Sequence, residues 1–188
     1  MILSMTLSFV LSYGQDTLTY NVHIVKAYIL PIMSALSNYP ELKNTTIYFK
    51  EANIESTGKT TIEKSTLFNR RHRKYIIYIN NNKARTGFLL SELSIDKQEG
   101  VIGHELAHVA DFSKRSFMEM IGWGLHYLNK KKRVIIERQT DESTISHGLR
   151  NELYAWSSFV LTSPLTTLSY KQMRLIYYMH PEEILKYK

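Results

Sequence analysis

Val101–Asp111 reads VIGHELAHVAD, and within it His104, Glu105 and His108 stand in the order H-E-x-x-H. On an α-helix, side chains four apart lie one above the other on the same face, so both imidazoles reach a single metal ion. Glu105 follows the first histidine directly, placed to act on a metal-bound water rather than to bind the metal. Two ligands, a general base and an open coordination position are what a hydrolytic zinc site requires. The competing reading is a buried amphipathic helix that happens to carry two histidines, and the surrounding sequence has to decide between them.

The chain has 188 residues, 44% of them hydrophobic and 22% charged, enough to bury one sizeable core and too apolar for disorder. A net charge of +7 favours anionic partners or substrates. Much of the excess lies in two runs, Arg70-Arg71-His72-Arg73-Lys74 and Lys130-Lys131-Lys132-Arg133. No aromatic or glycine pattern of a nucleic-acid module accompanies them, so they read as solvated rims and nucleic acid is not an expected partner. The absence of cysteine excludes disulfides, thiolate zinc ligands and cysteine nucleophiles.

Residues 1–14, MILSMTLSFVLSYG, are uncharged and apolar and end in a small-x-small step before Gln15 and Asp16. They read as the apolar core and cleavage site of a secretory signal peptide, without the usual basic start. Export is the expectation, leaving residues 15–188 as a single domain; if the segment is instead a first core helix, the protein is cytoplasmic. Apolar positions from Leu18 to Leu36 recur at helical spacing, predicting an amphipathic helix stopped at Asn38-Tyr39-Pro40, with Pro31 a candidate kink. Thr46–Phe49 and Tyr75–Ile79 are β-branched and aromatic runs, hence strands. Between them Ala52–Arg73 is polar and resists assignment, with Gly58-Lys59 as a turn. The outer edge of the Tyr75–Ile79 strand is expected to pair with an extended peptide.

Ser91 or Ser94 caps the motif helix, which runs to about Phe112, and Gly100 and Gly103 let it pack closely. Helices are expected at Phe117–Leu128, Asn151–Thr162, Ser169–Met179 and from Pro181. Leu153, Trp156, Val160, Leu175, Tyr178 and Met179 read as core closing the lower half. No run of eighteen apolar residues occurs, so no transmembrane helix is expected.

In the stretch VIIERQTDESTISHG, Val134, Glu137, Asp141, Ile145 and Gly148 share one helical face. Two carboxylates therefore lie in the stripe that should face the core. Ionised acids buried without partners cost several kcal/mol, so they need a metal or hydrogen-bonded cations. The centre begun by His104 and His108 meets that need, with Glu137 as third ligand. Asp141, one turn on, accepts the free N–H of a ligating histidine and fixes its tautomer.

His104-Glu105-x-x-His108 followed by Glu137-x-x-x-Asp141 resembles the gluzincin branch of zinc metallopeptidases, which includes thermolysin-like enzymes and the CAAX-prenyl-protease and HtpX-like peptidases. The likeness covers mainly residues 75–145. It implies an α+β zincin fold, with a small sheet over an active-site helix and a helical C-terminal half supplying the third ligand. It also implies one catalytic zinc ion and hydrolysis of peptide or protein substrates by zinc-activated water. The metzincin variant would need Gly and His where this chain has Asp111 and Lys114. A histidine as third ligand, His126 or His147, would instead resemble SprT-like proteases that act near DNA. His147, six residues beyond Asp141, lies on a different helical face. His147, Tyr154 and Tyr127 are the candidate oxyanion donors. A non-catalytic zinc protein is the rival from another class, and it would have no use for Glu105 as a base.

Overall fold

The structure, a computed structural model, describes the backbone of residues 5–13 and 16–187 and the side chains of residues 21–187. Strands β1 (Met5–Tyr13) and β2 (Asp16–Ile24) pair antiparallel. After helix α1 (Ile29–Ser37), β3 (Thr46–Ala52) runs parallel to β2. Strands β4 (Gly58–Ile62) and β5 (Lys74–Asn80) complete a mixed sheet of order β1-β2-β3-β5-β4. β5 is paired on both sides, parallel to β3 with Ile47 opposite Tyr75 and antiparallel to β4 with Thr60 opposite Ile77. Its apolar run YIIYI suits a strand enclosed on both edges.

The rest is helical: α2 (Lys83–Thr86), α3 (Ile95–Lys114), α4 (Phe117–Leu128), α5 (Lys130–Ser146), α6 (Arg150–Thr162), α7 (Leu168–Tyr177) and α8 (Pro181–Lys186). Strands and helices thus form an α+β fold organised around α3, which packs against α1, α5, α6 and β4. Its apolar positions Ile102, Leu106 and Val109 join Ile47, Ile77 and Ile79 of the sheet and Leu153, Trp156 and Val160 of α6 in one continuous core. Close approach to α6 rests on two glycines. A Cβ on Gly100 would stand 2.3 Å from the Glu152 carbonyl oxygen, and one on Gly103 2.4 Å from Leu149 Cδ1.

The carbonyl end of α3 is held by guanidinium groups. Arg73 donates from Nη1 to the carbonyls of Phe112 (3.0 Å) and Arg115 (2.7 Å), and Arg70 donates from Nε to that of Ser113 (2.9 Å). Cations suit this negative pole of the helix dipole. Arg73 is buried, so the first basic run is not wholly a solvated rim.

Five other expectations are corrected. Residues 16–24 form β2, and the helix begins only at Ile29, because pairing with β1 and β3 outweighs a chance helical spacing. Pro31 sits in the first turn of α1, where its missing N–H costs little. Gly58-Lys59 opens strand β4 rather than a turn, and β4, not β5, is the edge of the sheet. Leu175 faces outward, 47% exposed, while Tyr170 and Arg174, four apart, take the inner face of α7. Of the expected leader, residues 1–4 and 14 lie outside the described residues. No helix among the described residues is long and apolar enough to cross a membrane.

Gly100→Ala should lower stability by about 1–3 kcal/mol through overpacking against α6. In a thermal melt this is a fall of about 2–4 °C per kcal/mol. Gly122→Ala on α4, whose Cβ would meet nothing within 4 Å, should be neutral or stabilising by up to about 1 kcal/mol.

Candidate metal centre

Helix α3 presents His104 and His108 one turn apart, and α5 presents Glu137 and Asp141 one turn apart, so the two helices meet through two pairs of side chains. All four are buried, Glu137 to 1% and Asp141 to 0% exposure. Glu137 Oε2 lies 3.3 Å from His104 Nε2 and 3.5 Å from His108 Nε2, yet makes no hydrogen bond. An orphaned carboxylate oxygen between two ring nitrogens is costly unless something else occupies their common corner. Ligands at about 2.0–2.1 Å from a tetrahedral ion are separated by about 3.3–3.4 Å. The spacing therefore fits a small divalent cation, and the N, N, O donor set fits it chemically. Among the described residues, His104, His108 and Glu137 are the group of acids and imidazoles close enough to hold one.

Each ligand is oriented by a second partner. His104 Nδ1 lies 2.8 Å from Asp141 Oδ1, and the other Asp141 oxygen accepts from the Met179 backbone N–H at 2.9 Å. His108 Nδ1 is 3.4 Å from Thr140 Oγ1, whose own proton goes to the Ile136 carbonyl (2.9 Å). Both rings are thereby set with Nε2 towards Glu137. Tyr127 on α4 donates to Glu137 Oε1 at 2.6 Å, and Arg133 Nε stands 3.7 Å from the same atom. One carboxylate oxygen accepts from Tyr127, and the other stands without a hydrogen-bond partner between the two imidazoles.

The electrostatics point the same way. Burial would raise the Glu137 carboxyl, but the two imidazoles outweigh it and hold it well below the usual carboxylate range. Burial would lower His104, but the Asp141 and Glu137 carboxylates outweigh it and push it up to about 10. The pocket draws positive charge onto itself, and a divalent cation answers the same demand as that proton. Burial and the charge of Glu137 raise the Tyr127 hydroxyl, which keeps it a donor.

Glu105 lines the cleft but stands outside the ligand group. Thr60 of β4 donates to its carboxylate at 2.7 Å, and the strand approaches so closely that a Cβ on Gly58 would lie 2.6 Å from Glu105 Oε1. The cleft has a volume of about 810 Å³ and runs from β4 past the imidazoles to Trp123, Tyr127 and Met173. A small side pocket joins His104 and Glu105 to Tyr178 and to the buried Arg174, whose Nη2 has no hydrogen-bond partner.

His104, Glu105, His108, Glu137 and Asp141 thus converge. His147 does not join them: its ring stacks on Tyr39 and its Nε2 lies 2.8 Å from Glu41 Oε1. His126 is exposed on α4. Tyr154 packs partly buried against the core rather than lining the cleft. Thr60, Thr140, Arg174 and Tyr178 are residues that sequence reasoning missed as site residues; only the i+3 step from Glu137 to Thr140 carried a signal. Comparison with known proteins finds no matching family model, no matching curated protein and no matching solved structure.

Bound divalent metal, measured by elemental analysis after dialysis, should fall from one equivalent to near zero in Glu137→Ala and in His108→Ala. In Asp141→Asn it should persist but with about 10–100-fold weaker affinity against a competing chelator.

Proposed function

We propose that the chain is a zinc-dependent endopeptidase of gluzincin type, with His104, His108 and Glu137 as ligands and Glu105 as general base. The observation that carries this reading is the division of labour between two glutamates. Glu137 turns a bare oxygen towards both ring nitrogens, whereas Glu105 stands beside them, outside the ligand group and facing an open cleft. A purely structural zinc site closes its fourth position with protein and has no use for a neighbouring base.

His104, His108 and Glu137 would hold the ion, which when bound would supply Lewis acidity, polarising a carbonyl and lowering the pKa of water. Glu105, oriented by Thr60, takes a proton from the attacking water and returns it to the leaving amine. The developing oxyanion needs a donor from the protein. Tyr127 is committed to Glu137, so Arg174 and Tyr178, which share the side pocket with Glu105, fill that role better. Substrate binding follows from the sheet order. β4 is paired to β5 on one side only, and its residues line the cleft, so an extended peptide can add to the free edge and lie across the imidazoles. Export on the apolar residues 1–14 belongs to the same reading, and cleavage of that segment would remove β1 and leave β2 as the outer strand of the sheet.

In Glu105→Gln, hydrolysis of an unfolded protein such as casein should fall about 10²–10⁴-fold while bound zinc stays at one equivalent. Activity that survives with zinc in place would leave the non-catalytic zinc protein as the better account.

A further inference from the structure

Helix α4 is built almost wholly of apolar residues, FMEMIGWGLHYL, yet none of them is buried. Its inner face is spoken for: Trp123 packs edge-on to Phe112, with ring centroids 4.7 Å apart, and Tyr127 grips Glu137. Its outer face carries Met118, Ile121, Leu125 and Leu128, spaced three, four and three apart and so aligned in one stripe. Three of these are strongly exposed, Met118 at 70%, Leu125 at 64% and Leu128 at 82%. At the start of the helix Phe68, 74% exposed, lies against Phe117 and extends the apolar surface.

Cations flank this stripe. Lys114 precedes the helix, and Lys130, Lys131 and Lys132 follow Leu128 after the single residue Asn129. All four lysines are exposed, and none has a carboxylate partner among the described residues. Such a stripe, too short to span a bilayer and bracketed by lysines, matches the chemistry of an interfacial helix. A second copy of the chain would set these lysines against one another, whereas anionic headgroups complement them.

We propose that the outer face of α4, with Phe68 and Lys130–Lys132, docks the protein on an anionic lipid surface. The leucines and methionine enter the acyl boundary while the lysines meet lipid phosphates. The inner face of the same helix holds the Glu137 carboxylate, so the cleft is carried beside the bilayer. This inference is independent of the peptidase reading, since it needs neither metal nor hydrolysis.

The test is flotation of the full chain with vesicles of phosphatidylcholine alone and of an equimolar phosphatidylcholine–phosphatidylglycerol mixture. Binding to the mixed vesicles only, weakening with salt, is expected. Replacing Lys130, Lys131 and Lys132 together with Gln should weaken it by about a hundred-fold, at roughly five-fold per lysine. The double change Leu125→Gln and Leu128→Gln should abolish it, with an unchanged melting temperature showing an intact fold. Because residues 1–14 are themselves apolar, wild-type binding that survives both variants overturns the proposal. So does failure to bind any vesicle, or a concentration-dependent dimer that the leucine changes dissolve.

Discussion

The buried hydrogen bond between His104 Nδ1 and Asp141 Oδ1, 2.8 Å long, joins the two helices that make the site. Neither partner tolerates burial alone, because an unpaired carboxylate or imidazolium in the interior costs several kcal/mol. Together they fix the angle at which α5 crosses α3 and the direction in which the His104 ring faces. The same crossing brings Glu137 to both imidazoles and Thr140 to the far side of His108. A contact that looks local therefore sets the geometry of all three candidate ligands.

Around this pair the fold is arranged to keep α3 from shifting. Glycines at 100 and 103 let α6 settle onto its backbone, and a side chain at either position would collide with that helix or the segment leading into it. The Tyr39 hydroxyl donates to the Gly103 carbonyl at 2.7 Å on the flank facing α1. At the far end Arg70 and Arg73 hold the last carbonyls. Preorganisation of this kind matters for any site in which small displacements of a charged group change its chemistry.

Much of the candidate site was legible in the sequence because its side chains come in two short helical patterns. His104 and His108 share a face by spacing alone, and so do Glu137 and Asp141, whose position in a core-facing stripe called for a metal or hydrogen-bonded cations. The sheet was less legible. GKTTI shows no alternation that would announce a strand, and β4 exists because β5 offers it a partner and α3 a surface. Before α1, Val22 and Ile24 follow the two-residue rhythm of a strand, but Val25 and Ile29 happen to continue a helical one. Thr60 and Arg174 were hidden for a different cause. Their surroundings depend on neighbours distant in the chain, Glu105 for the first and, for the second, Trp156, which with the nearby Tyr178 encloses the guanidinium. A buried arginine cannot be told from a surface one until the aromatic rings that enclose it are in place.

Asp141 has a second obligation, to the backbone N–H of Met179 just past α7. A nascent chain that ends within α7 already contains both imidazoles and both carboxylates, yet it lacks the donor that steadies Asp141 from behind. The four side chains cannot reach their finished arrangement, with Asp141 held from both sides, until translation has passed that methionine.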